Sequence, residues 1–96
     1  MLDIRSYVAD GYIPFEDWFA DLDAAAATKV TVALERLAEG NLSRIESVGR
    51  GVLEYRIDPG PGYRLYSGRD GARLVNLLTG GTKRRQQRDV ETAWAL

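Results

Sequence analysis

Arg56 and Arg64 are the side chains in this chain with the clearest capacity for chemistry, and the Pro59-Gly60-Pro61-Gly62 turn sequence separates them. On either side of that turn the residues alternate, with Leu53, Tyr55 and Ile57 on one side and Glu54, Arg56 and Asp58 on the other. Alternation of this length is the mark of a half-buried strand. Beyond the turn, Tyr63 and Leu65 share the oily side, while Arg64 and Tyr66 share the polar one. The spacing therefore predicts two guanidinium groups side by side on neighbouring strands. Like charges in that position repel. The repulsion is relieved when Glu54 or Asp58 neutralises them, or when an anion such as a phosphate lies between the two. Guanidinium forks suit a phosphodiester because they bond bidentately and keep their charge at every working pH. The residues leave two readings open: an anion site, or a surface ladder of Glu54 with Arg56 or Arg64 worth about 0–1 kcal/mol.

A second group follows the most apolar strand, in Gly80-Gly81-Thr82-Lys83 and then Arg84, Arg85, Gln86, Gln87 and Arg88. Paired glycines permit left-handed backbone and an anion-binding nest of N–H groups, but taken alone they read first as a plain turn. The spacing to Lys83 is not that of a P-loop. Lys83, Arg84, Arg85 and Arg88, with Gln86 among them, form a basic run suited either to solvent or to an RNA backbone. Tyr66 lies beside Arg64 and has a ring able to stack on a base, whereas Tyr63 is expected in the core. Asp89 reads as a cap for a terminal helix or a tether for Arg88 or Lys83. Glu54 reads as an arginine-orienting group or a base.

Composition narrows the chemistry further. The 96 residues include neither histidine nor cysteine. That removes the commonest general base, the usual zinc ligands, thiol nucleophiles and any Ser-His-Asp triad. Catalysis by this chain falls to carboxylates, lysine, arginine or tyrosine. The formal net charge of −1 conceals an imbalance between the halves. Residues 1–48 hold four basic side chains against nine acidic ones, a balance of −5, and residues 49–96 hold nine against five, a balance of +4. Such asymmetry suggests a face that meets a polyanion or an acidic partner. The length suits one domain over residues 1–96, and no apolar run has the roughly 20 residues needed to span a bilayer. A cytoplasmic protein is expected.

The elements that must position these groups can be read in order. Leu2 to Val8 alternates as a first strand, with a charged side that fits a sheet edge. Ala9 to Ile13 is a loop. Pro14 opens a helix whose Phe15, Trp18, Phe19 and Leu22 form one apolar stripe. Asp23 caps a second helix with Ala27, Val30, Leu34 and Leu37 at helical spacing, and Gly40-Asn41 ends it. The short connection implies an antiparallel helical hairpin. Leu42 to Arg50 reads as an irregular link, followed by strands at 52–58, 63–66 and 73–78 and a short terminal helix presenting Val90, Ala93 and Trp94. The expectation is an α+β domain of order β-α-α-β-β-β-(α), with the helices on one face of a mainly antiparallel, twisted sheet of four or five strands.

The run Glu54-x-Arg56-Ile57-x-x-Gly60-x-Gly62-Tyr63-Arg64-Leu65-Tyr66, followed by Leu77-Leu78-x-Gly80-Gly81-x-Lys83-x-x-Gln86-x-x-Asp89-Val90, resembles one family. It is similar to the RelE/ParE superfamily of type II toxin–antitoxin toxins, in the HigB-like "addiction module killer" branch, and the likeness extends over nearly the whole chain. The resemblance implies a RelE-like toxin fold and a ribosome-dependent mRNA interferase that needs no metal or cofactor. In the implied reaction the ribose 2′-OH attacks the adjacent phosphate. Arg64 and Arg56 would then stabilise the phosphorane, Lys83 would serve as base or second cation, and Tyr66 would position the base. The implied partners are the ribosome, mRNA and a cognate antitoxin, a small helix-turn-helix protein. Two other readings stand beside this one: a ParE-like inhibitor of DNA gyrase without nuclease activity, and a degenerate toxin that only binds its antitoxin.

Overall fold

Five strands and three helices follow one another as β1 (Asp3–Ser6), α1 (Pro14–Ala20), α2 (Ala24–Ala38), β2 (Ile45–Gly49), β3 (Val52–Ile57), β4 (Tyr63–Asp70), β5 (Leu74–Thr82) and α3 (Gln86–Ala95). The computed structural model describes residues 3–41, 44–57, 62–70, 74–82 and 86–96. Asp58, the end of an expected strand, and the Pro59–Pro61 part of the turn after it lie outside the described residues, as do Lys83, Arg84 and Arg85. The strands form one sheet in the order β1-β5-β4-β3-β2. β2 to β5 make an antiparallel meander, and β1 joins β5 in parallel at the edge. The domain is α+β with a mostly antiparallel sheet.

The helical hairpin forms for the reasons legible in its residues. Pro14 occupies the first turn of α1, where its missing N–H costs nothing. Asp23 accepts a 2.8 Å hydrogen bond from the Ala26 amide and so caps α2. Phe15, Val30, Ala33 and Leu37 then pack on Tyr55, Ile57, Leu65 and Leu77, with Trp18, Phe19, Leu22 and Tyr63 around them. This is the main core, and the oily side of the alternating strands faces it as expected.

Three expectations are corrected. The stretch read as an irregular link contains β2, which pairs antiparallel with β3. It reaches β3 through Gly49, Arg50 and Gly51, all three with positive φ, a tight reversal that glycine-flanked backbone permits. Secondly, Gly80 and Gly81 are neither a turn nor a nest: they belong to β5, and neither is among the glycines with positive φ. Thirdly, the helices do not share one face. α3 lies across the sheet from the hairpin, where Val90 and Ala93 pack on Val52, Tyr66 and Leu78 to make a second core. A register shift in the β4–β5 pairing passes over Leu78. Such a bulge re-aims a side chain, and here Leu77 serves the first core while Leu78 serves the second.

Candidate functional site

The polar side of the sheet is roofed by α3. Register places Glu54 on β3 opposite Tyr66 on β4, which is opposite Thr79 on β5. The next row is Arg56, Arg64 and Gly81. Arg56 and Arg64 are thus directly opposed, as the sequence predicts. Their environments differ, because Arg56 is exposed while Arg64 is 6% accessible and Glu54 only 1%. The Arg64 Nε lies 3.8 Å from Glu54 Oε1, an ion pair too long for a hydrogen bond. Burial of two charges is tolerable only with compensation of this kind.

Gln86, the first residue of α3, completes the arrangement. Its Nε2 donates to Glu54 Oε1 at 2.9 Å and to Oε2 at 2.8 Å. Glu54 is therefore engaged on both oxygens, which favours the orienting role over that of a base. Asp89, one helical turn further on, lies over Gly81, where a Cβ would overlap its carboxylate. On the opposite side of the sheet a Cβ at Gly80 would overlap the Trp18 ring. The glycine pair clears one space on each face, a tryptophan below and a carboxylate above.

Tyr66 is not available as a stacking surface, since it is wholly buried under α3. Its hydroxyl lies near Glu54 without a hydrogen bond of good geometry. Burial pushes the phenol pKa far above the ordinary tyrosine value, and the charges of Glu54 and Asp89 add to the shift against a smaller opposing pull from Arg64. Tyr66 is neutral at every physiological pH.

Of the basic run, Arg88 is exposed on α3, and Gln87 beside it is exposed too. Lys83, Arg84 and Arg85 lie outside the described residues. The structure adds two features that the residues did not announce. A shallow cavity of about 360 Å³ opens beside Gln86 between α3 and β2, lined by Val48, Gln86, Gln87, Val90 and Trp94. The far end of α3 is held there as well, with the Trp94 indole donating to the carbonyls of Val48 (3.2 Å) and Gly49 (3.1 Å) and the Arg50 guanidinium 4.5 Å above its ring. The apolar stripe Val90, Ala93, Trp94 was the available signal, because a terminal helix with such a stripe needs an apolar surface to cover.

The chain is similar to an uncharacterized protein of Haemophilus influenzae, with 39% identity over 82 residues that span 84% of this chain and 83% of that protein. The two belong to one family. No protein-family model matches the chain. Among the described residues no helix is long and apolar enough to cross a membrane.

Proposed function

We propose that this chain is the toxin of a type II toxin–antitoxin module with a RelE-like fold, and that it acts as a ribosome-dependent mRNA interferase. The observation that carries the reading is the direct opposition of Arg56 and Arg64 on adjacent strands. One carboxylate, Glu54, faces the buried arginine, while the other arginine stands exposed at the mouth. Two like charges so placed gain when a phosphodiester bridges them. In the proposed reaction the 2′-OH adds to the neighbouring phosphorus, its proton passes to a base, and the 5′-oxygen leaves with a proton, giving a 2′,3′-cyclic phosphate. Arg56 contacts the phosphate from solvent, and Arg64 adds charge from beneath as negative charge grows on the phosphorane. Lys83 remains the proposed base or second cation. The basic balance of the carboxy-terminal half supports contact with RNA and the ribosome. A helix-turn-helix antitoxin is the proposed regulator.

A second reading, a binding module without nuclease activity, is favoured by one observation. Glu54, Arg64 and Tyr66 face one another beneath α3, so much of the polar face is already committed.

The deciding experiment maps mRNA cleavage by primer extension in a reconstituted translation mix, for the wild type, Arg56→Ala, Arg64→Lys and Lys83→Ala. Ribosome-dependent cuts that weaken in all three variants, with circular dichroism unchanged, are the expected result. Intact mRNA at ample doses of the wild type overturns the reading, and inhibition of gyrase supercoiling by the same preparation would place the protein with ParE-like toxins instead.

A further inference from the structure

The face of the sheet opposite the polar cluster carries a groove that meets the RNA reading only at Arg56. It has a volume of about 260 Å³ and lies between α2 and the end of β3. Its floor is apolar, built from Val32, Tyr55 and Ile57, and Val32 remains 38% exposed despite its size. Lys29, Val32 and Arg36 are three and four residues apart on α2, so they line up along one strip of the helix. Both cations are exposed. Arg44 and Arg56 border the other side, joined by a 3.2 Å backbone hydrogen bond from the Arg56 amide to the Arg44 carbonyl that continues the β2–β3 ladder. Among the described lining residues there is no carboxylate.

This positive strip is local. It lies largely in the half of the chain whose charges balance at −5, and Glu35 on α2 and Glu39 at its C-cap stand exposed. An extended polyanion running past the groove meets these carboxylates. A short segment need reach no further than Lys29 and Arg36. The floor argues the same way, because a sugar–phosphate backbone gains nothing from aliphatic side chains, and Tyr55, at 5% exposure, offers no ring face for a base. A peptide with aliphatic and acidic residues on one side satisfies both the floor and the rim.

We propose that the α2–β3 groove docks a short acidic amphipathic segment of a partner protein, its aliphatic side chains on Val32, Tyr55 and Ile57 and its carboxylates on Lys29 and Arg36. The groove and the polar cluster share Arg56, so the proposal is carried by Lys29, Val32 and Arg36, none of which the nuclease reading uses.

The test selects peptides from a random displayed library against the full chain and titrates the enriched sequences, made synthetically, into isotope-labelled protein. Expected are sequences combining Asp or Glu with Leu, Ile or Val, and amide shifts centred on Lys29–Arg36 and Tyr55–Ile57. In the Lys29→Glu/Arg36→Glu double variant the affinity should fall by about tenfold or more. Val32→Ser, a change at an exposed position, should weaken binding without altering the fold. The proposal is overturned by no enrichment over a protein-free control, by sequences lacking acids, or by shifts confined to another surface. It is equally overturned if a short single-stranded RNA gives the same shifts at equal or higher affinity.

Discussion

Gln86 donates through one nitrogen to both oxygens of Glu54, at 2.9 and 2.8 Å, and so ties the first residue of α3 to the centre of the sheet. With the Trp94 indole bonded to Val48 and Gly49, the terminal helix is fastened near both of its ends. The Glu54 carboxylate is buried, so its partners matter more than those of an exposed acid.

Gln86→Leu keeps the size of the side chain and removes the donor. It should cost about 1–3 kcal/mol, the penalty for leaving a buried polar group short of a partner. Urea titration followed by tryptophan fluorescence measures it. An unchanged midpoint would mean that water replaces the amide freely and that α3 does not seal the cluster.

The two opposed arginines should respond very differently to truncation. Arg64→Ala strands the buried Glu54 charge and should cost about 3–5 kcal/mol. Arg56→Ala removes an exposed member of a like-charged pair and should stay within about 0.5 kcal/mol of wild type. Equal losses in chemical denaturation would contradict the asymmetry of burial.

Gly81→Ala places a methyl group against the Asp89 carboxylate and should destabilise by about 1–3 kcal/mol. Much of that loss should disappear when the same change is made in an Asp89→Ala background, so a double-mutant cycle should show coupling. Strict additivity would show that Asp89 is not what the glycine accommodates.

The raised pKa of Tyr66 makes stability sensitive to alkali. A phenol whose folded pKa exceeds the unfolded one contributes stability that is intact below the unfolded value, near 10.0, and is lost as pH climbs toward the folded value. Between the two values the folding free energy should fall by up to about 1.4 kcal/mol per pH unit. Tyr66→Phe should flatten this slope while leaving stability at neutral pH little changed, because the hydroxyl makes no well-formed hydrogen bond. Denaturation midpoints across alkaline pH compare the two proteins, and parallel slopes would refute the assignment.

Much of this architecture was legible in the residues, for reasons that differ by element. The period-two pattern of β3 and the start of β4 gave the facing arginines, and the stripe Phe15, Trp18, Phe19, Leu22 gave α1, because one buried face imposes one period. β2 escaped notice because Ile45 and Val48 are its only aliphatic residues and a glycine-flanked reversal follows at once. The burial of Glu54, Arg64 and Tyr66 escaped for another reason. Polar alternation looks the same whether the face meets water or a helix that satisfies it. Only Val52 and Leu78 on that side, together with the stripe on α3, distinguish the two cases. Gly80 and Gly81 resembled a turn because glycine signals backbone freedom and close approach alike, and here close approach accounts for both.

The parallel pairing of β1 with β5 bears on how the chain comes into being. β1 finds its neighbour only in residues 74–77, with α1, α2, β2, β3 and β4 between them in the chain. During synthesis β1 lacks its sheet neighbour until β5 has emerged. Closure of so long a loop places the rate-limiting step of folding late and makes it slow relative to formation of the helical hairpin. A protein built this way completes its sheet only after every element between the two paired strands has been made.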